Sequence, residues 1–153
     1  FITNLIKQKL HLQTEILQRE KQSRNDLPIF VIFLPENEIH ELGILYLNYL
    51  VLSKGYKTIF LGQSLQTSSL ETLYTYNSKF YFVTYLTIEP NKDEIMPFLN
   101  NFYINLLKDR GSKLFIFGPQ QAEIDSEILP SQIELFRSVE SFISKYLEEL
   151  IFA

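Results

Sequence analysis

Ile29-Phe30-Val31-Ile32-Phe33-Leu34, opened by Pro28, is an unbroken apolar run that passes directly into the polar stretch Pro35-Glu36-Asn37-Glu38. Apolarity without alternation means that both faces of the strand are covered, the condition of a strand inside a parallel sheet flanked by helices. From Ile39 to Lys54 the period changes. Leu42, Leu45, Tyr46, Tyr49 and Leu52 fall at roughly helical spacing, and Gly55 follows as a helix stop. Strand, loop and helix in that order make the first half of a parallel βα unit.

The unit recurs along the chain. Lys57-Thr58-Ile59-Phe60-Leu61 reads as a second strand closed by Gly62, and Thr67-Ser68-Ser69-Leu70-Glu71 as the cap of a short helix ending near Asn77. Phe80-Tyr81-Phe82-Val83-Thr84-Tyr85-Leu86 is a third strand. Lys92 to Arg110 is a third helix of the sheet domain, with Gly111 as its stop and Pro97 in an early turn. Lys113-Leu114-Phe115-Ile116-Phe117 is a fourth strand leading into Gly118-Pro119 and a short helix around Gln120 to Ile124. Ile133-Glu134-Leu135-Phe136 is a weaker fifth strand, and Val139 to Phe152 a closing helix with Phe142, Ile143, Tyr146, Leu147 and Leu150 on one face. Phe1 to Ser23 reads as one further helix, which Arg24-Asn25-Asp26 ends.

This alternation predicts an α/β fold: a doubly wound five-stranded parallel sheet in the flavodoxin-like, Rossmann-like order 2-1-3-4-5, with an N-terminal helix outside it. Such sheets bind ligands beyond the carboxyl ends of their strands, where the order switches between the first and third strands. Function is expected in the loops after Leu34, Leu86 and Phe117.

Composition narrows the classes. The 153 residues are 46% hydrophobic and 21% charged, with a net charge of −4, so they suit one globular domain and leave no basic footprint for nucleic acid. There is no cysteine, which removes disulfides, thiolate metal sites and cysteine nucleophiles and fits a reducing cytoplasm. No apolar run is long enough to span a bilayer, and Phe1 to Leu10 lacks the pattern of a signal peptide. Opening on Phe1, the sequence reads as a fragment whose missing part lies upstream. The thirteen Phe and nine Tyr read mostly as core, Tyr46 and Tyr49 included.

Chemistry concentrates in the first loop, Glu38-Ile39-His40-Glu41-Leu42-Gly43. A metal-ligating imidazole needs its second ring nitrogen held by an acceptor, and a carboxylate two residues upstream can supply it. The pattern resembles the Asp-x-His-x-x-Gly signature of cobalamin-binding domains, with Glu38 in place of Asp. The longer run His40-Glu41-Leu42-Gly43-Ile44-Leu45, followed by Gly55, Lys57 and Phe60-Leu61-Gly62-Gln63, is similar to the effector domains of MerR-family transcription regulators.

The resemblance covers the chain from about Leu27 to its end. It implies a cobalamin-binding-like domain over 27–153, preceded by a 1–26 helix left from an upstream bundle or linker. It also implies cobalamin, as adenosylcobalamin or methylcobalamin, bound with His40 as the cobalt ligand and with the displaced nucleotide tail buried along the sheet. Glu38 would then accept from His40, through a bond that its extra methylene could loosen or reorient, and Gly43 would leave room for the tail. Thr84-Tyr85-Leu86 stands where the family has Ser-x-Leu, so that Thr84 and Leu86 are implied as tail contacts; Thr84 also reads simply as a β-branched strand residue. Gly118-Pro119 stands for a Gly-Gly pair and retains one of its two glycines, Gly118. His11, on the N-terminal helix, reads as an exposed helix residue rather than an upper ligand.

Three functions are left open. The leading one is a non-enzymatic, ligand-sensing module in transcription regulation, reaching DNA only through an upstream domain and acting as a homo-oligomer without a membrane. The second is a cobalamin-carrying component of a methyltransferase or mutase. The third is a degenerate domain of the same fold used only for protein interaction.

Overall fold

A computed structural model describes residues 2–20 and 27–147 of the chain. Five strands form one parallel sheet in the order β2-β1-β3-β4-β5: β1 (Ile29–Pro35), β2 (Lys57–Leu65), β3 (Phe80–Tyr85), β4 (Lys113–Phe117) and β5 (Ile133–Leu135). The apolar runs become the central strands. Residues 30 to 34 of β1 are fully buried because each face of the sheet carries its own hydrophobic layer.

Successive side chains of a strand point to opposite faces, and the two layers divide accordingly. Val31, Phe33, Phe82, Leu114 and Ile116 pack with the 3₁₀ segment Thr67–Thr75 and with α3 (Ile95–Phe102). Phe30, Ile32, Val83, Phe115 and Phe117 pack with α2 (Leu42–Ser53) and α4 (Val139–Phe142). The second layer is rich in rings: Phe115 lies 4.5 Å from Tyr146 and 5.4 Å from Phe142, centroid to centroid. Outside the sheet, α1 (Ile2–Glu20) packs against α2.

Several element ends differ from the sequence expectation. Gly62 does not close β2: it sits inside the strand at φ +77°, opposite Phe33, while Ile32 faces Phe60. Leu61 is therefore the extra residue of a bulge, and the strand continues to Leu65. The helix expected from Lys92 starts only at Ile95, because the Asn91 side chain accepts from the amides of Asp93 and Glu94 and holds a turn there. It ends in a π turn, Tyr103–Leu107, before Asp109 and Gly111 take positive φ. The segment after β4 is a 3₁₀ turn, Pro119–Glu123. The closing helix passes into a π turn, Ile143–Leu147, and its expected continuation to Phe152 lies outside the described residues, as do Phe1 and 21–26.

Candidate functional site

The loop after β1 lies at the switch point between β1 and β3, as the sheet order requires. Asn37 at φ +71° turns the chain, and the Glu38 amide donates back to the Pro35 carbonyl at 3.0 Å. The turn drives the Glu38 side chain inward until only 1% of the residue is exposed. A buried carboxylate needs partners, and Glu38 has five. Oε1 accepts from the amides of Ile39 and His40, each at 3.1 Å, and from His40 Nδ1 at 2.6 Å. Oε2 accepts from the amides of Ile88 and Glu89, at 2.8 and 2.9 Å, in the loop that follows β3.

Burial by itself would raise the Glu38 pKa. The Ile88 and Glu89 amides, the imidazole and the His40 amide outweigh it and bring the carboxyl down from 4.5 to about 2. Glu38 is thus an anion and can only accept, so His40 Nδ1 carries the shared proton. In the neutral imidazole the free lone pair is then on Nε2. The His40 side chain is half exposed, at 51%. The expected looseness of the Glu38 bond is not found, because the longer side chain spans two loops and is held at both ends.

His40 borders a crevice of about 850 Å³ between α1 and the carboxyl edge of the sheet. Its floor includes Gly43, Tyr46, Tyr85 and Pro119, and its roof includes Ile6 and Leu10 of α1. Lys7 of α1 meets Glu41 at 3.2 Å and ties the roof to the start of α2. Motif reading missed Ile6, Leu10, Tyr46 and Tyr85. The available signal was the four-residue spacing of Ile6 and Leu10, one apolar stripe of α1. His11 is exposed and does not border the crevice.

The fold places the remaining motif positions, and for Thr84 it bears out the reading as a strand residue. Gly43 does not leave open space: a Cβ there would lie 2.7 Å from Tyr85 Cδ2, so the Tyr85 ring occupies the room beside it. Thr84 is fully buried and donates its hydroxyl to the Phe33 carbonyl at 2.8 Å, so the hydroxyl is committed within the sheet. Leu86 is buried in the layer against α3, on the opposite face from Tyr85. Gly118, at φ +101°, passes so close to Leu86 that a Cβ would stand 2.4 Å from its carbonyl oxygen. The absence of a side chain there is explained by the crossing of two loops, which the Gln120 amide closes by donating to Leu86 O at 3.0 Å.

Among the described residues no group of three or more His, Cys, Asp or Glu is placed to hold a metal ion, and no helix is long and apolar enough to cross a membrane. The sequence matches no family model, and no curated protein matches it. Solved structures do match in fold. The monomethylamine corrinoid protein of Methanosarcina barkeri superposes with a TM-score of 0.64 at 14% identity, over 92% of this chain and 65% of that one. A cobalamin-binding protein of Desulfitobacterium hafniense DCB-2 superposes with a TM-score of 0.54 at 14% identity, over 83% of this chain and 59% of that one. The chain thus has the Rossmann-like fold of this corrinoid protein and this cobalamin-binding protein and spans under two thirds of the length of either.

Proposed function

We propose that this domain binds a corrinoid in the crevice beneath α1, where His40 Nε2 would hold its cobalt, and acts as the ligand-sensing effector domain of a MerR-type transcription regulator. The observation that carries the reading is the Glu38–His40 pair at the switch point: a buried anion holds Nδ1–H at 2.6 Å and leaves the other nitrogen on a half-exposed ring beside an apolar crevice. A carboxylate that accepts from the far ring nitrogen in this way fixes the tautomer and raises the basicity of the ligating nitrogen. One imidazole supplies one coordination position, and among the described residues no cluster of ligating side chains surrounds it, which suits a metal that a macrocycle already holds. The fold shared with a corrinoid protein and a cobalamin-binding protein supports the same ligand class.

The residues present fit the group: His40 would hold the cobalt, and Glu38 would orient the His40 ring. The bound corrinoid would supply a redox-active and light-absorbing centre. The sensing role rests on the sequence likeness to MerR effector domains and on the roof. A ligand entering beneath Ile6 and Leu10 contacts α1, the element that leads toward the proposed upstream DNA-binding domain, and so can change how α1 is held. With a net charge of −4, DNA contact falls to that other domain, and a homo-oligomer is the expected assembly.

A corrinoid carrier for methyl transfer is the second reading, favoured by the fold shared with the monomethylamine corrinoid protein. Visible absorption titration with hydroxocobalamin, adenosylcobalamin and diaquocobinamide tests the ligand. We expect a spectral change that His40→Ala removes. No change with any of the three, or the same change in the variant, refutes the corrinoid site and leaves the fold to protein interaction alone. A corrinoid-dependent change of oligomeric state separates the sensor from the carrier, which would instead pass the methyl group of bound methylcobalamin to an acceptor.

A further inference from the structure

We propose that the groove between the ends of β4 and β5 is a second ligand site, taking a small organic anion whose oxyanion head is held by Arg137. The inference goes beyond the corrinoid reading and stands without it. The groove measures about 740 Å³ and opens at the carboxyl edge of the sheet, where doubly wound folds bind their ligands. That volume admits a whole small molecule. Tyr85 and Pro119 border both this groove and the His40 crevice, so the two concavities adjoin. The walls are fixed by local contacts. Gly118 can carry no side chain beside Leu86, and the chain turns from it directly into the 3₁₀ segment Pro119–Glu123. Gln121 donates its side-chain amide to the Gly118 carbonyl at 3.0 Å and to the Phe136 carbonyl at 2.8 Å, which ties the wall after β4 to the residue before Arg137.

The chemistry of the lining selects the ligand. The chain as a whole is acidic, with a net charge of −4, yet no Asp or Glu borders this groove. Asp125, next to Ser126, turns its carboxylate back to the Glu127 amide at 3.1 Å. The Arg137 guanidinium is permanently charged, and among the described residues it has no ion pair, hydrogen bond or ring contact. The hydroxyls of Ser126 and Tyr85, in the same groove, have no hydrogen-bond partner there either. The concavity of about 320 Å³ beside α3 has the opposite make-up, with Glu36, Glu89 and Glu94 in its lining and no Lys or Arg. A free guanidinium meets a phosphate or carboxylate with paired N–H donors, and hydroxyls can donate to the same oxygens. Ile124, Leu135 and the Tyr85 ring supply apolar surface for the body of the molecule. The class that fits is therefore an oxyanion on a hydrocarbon or aromatic body.

Phenyl phosphate is the probe, with phenol as its neutral counterpart and inorganic phosphate as the head alone. The full chain is titrated with each and followed by amide proton–nitrogen correlation spectra. Phenyl phosphate is expected to bind at least about tenfold more tightly than phenol and to shift the signals of Ala122, Ser126 and Arg137. Arg137→Gln should weaken it by about tenfold or more, and because Arg137 is exposed the variant keeps the fold. Lys108→Gln removes one exposed positive charge just before β4, at the opposite edge of the sheet, and should leave the affinity unchanged. Phenol bound as tightly as phenyl phosphate, equal losses in the two variants, or no shift up to about 10 mM probe overturns the site. Shifts at Ile6 and His40 in place of the groove signals overturn it as well, and inorganic phosphate bound as tightly as phenyl phosphate overturns the organic class. The corrinoid titration is a separate measurement, and its outcome does not depend on any of these.

Discussion

Replacement Glu38→Gln removes one charge and changes the side-chain volume little, so its effect reports on the hydrogen-bonded carboxylate itself. In the wild type the carboxylate accepts from four backbone amides and one imidazole while 1% of the residue is exposed. A glutamine oxygen can serve only one side of this fork. Its NH₂ group then faces two amide donors on the other side, which stay buried and unpaired. The fall of the Glu38 pKa from 4.5 to about 2 gives the scale: at about 1.4 kcal/mol per tenfold change in proton affinity, the folded environment favours the anion by about 3 kcal/mol. Because the folded value lies below the unfolded one, this stability is fully present above 4.5 and is lost as pH falls through the range down to about 2. Urea denaturation followed by far-UV circular dichroism should therefore show the variant less stable by about 2–4 kcal/mol at pH 7. The gap should shrink steadily between pH 5 and pH 2, where wild-type Glu38 becomes a neutral acid like the amide. An unchanged midpoint at pH 7, or a gap that does not depend on pH, would refute the claim that Glu38 is an anion pinned between the two loops.

Two further substitutions test the packing that surrounds the site. Gly118→Ala combines a positive φ with a contact to the Leu86 carbonyl, so a loss on the order of 3 kcal/mol is expected in the same assay; a loss under about 0.5 kcal/mol would mean that the loop crossing is slack. Phe115→Ala empties a fully buried position in the layer under α4 and should cost about 3–5 kcal/mol, and a value typical of surface changes would contradict the tight packing of that aromatic layer.

The sheet was legible in the sequence because its determinants are local. Runs such as Ile29 to Leu34 and Lys113 to Phe117 are continuous and apolar, and the helical periods between them leave parallel crossovers as the way to bury both. The Glu38–His40 pair was legible for the same reason: two residues apart in one loop, their side chains meet without help from distant segments. Element ends were less so, since Asn91 at the start of a helix and Gly62 within a strand act through turn and bulge geometry that periodicity does not register. What surrounds the pair was decided only by tertiary structure. The Ile88 and Glu89 amides that hold the second Glu38 oxygen are fifty or more residues away, and no local pattern marks a backbone amide as a partner. The same holds where Tyr85 fills the place beside Gly43, where Leu86 explains Gly118, and where α1 roofs the crevice. A glycine in a motif reads as space, but whether that space is open or taken depends on which side chain another strand brings to it, and only the folded chain specifies that.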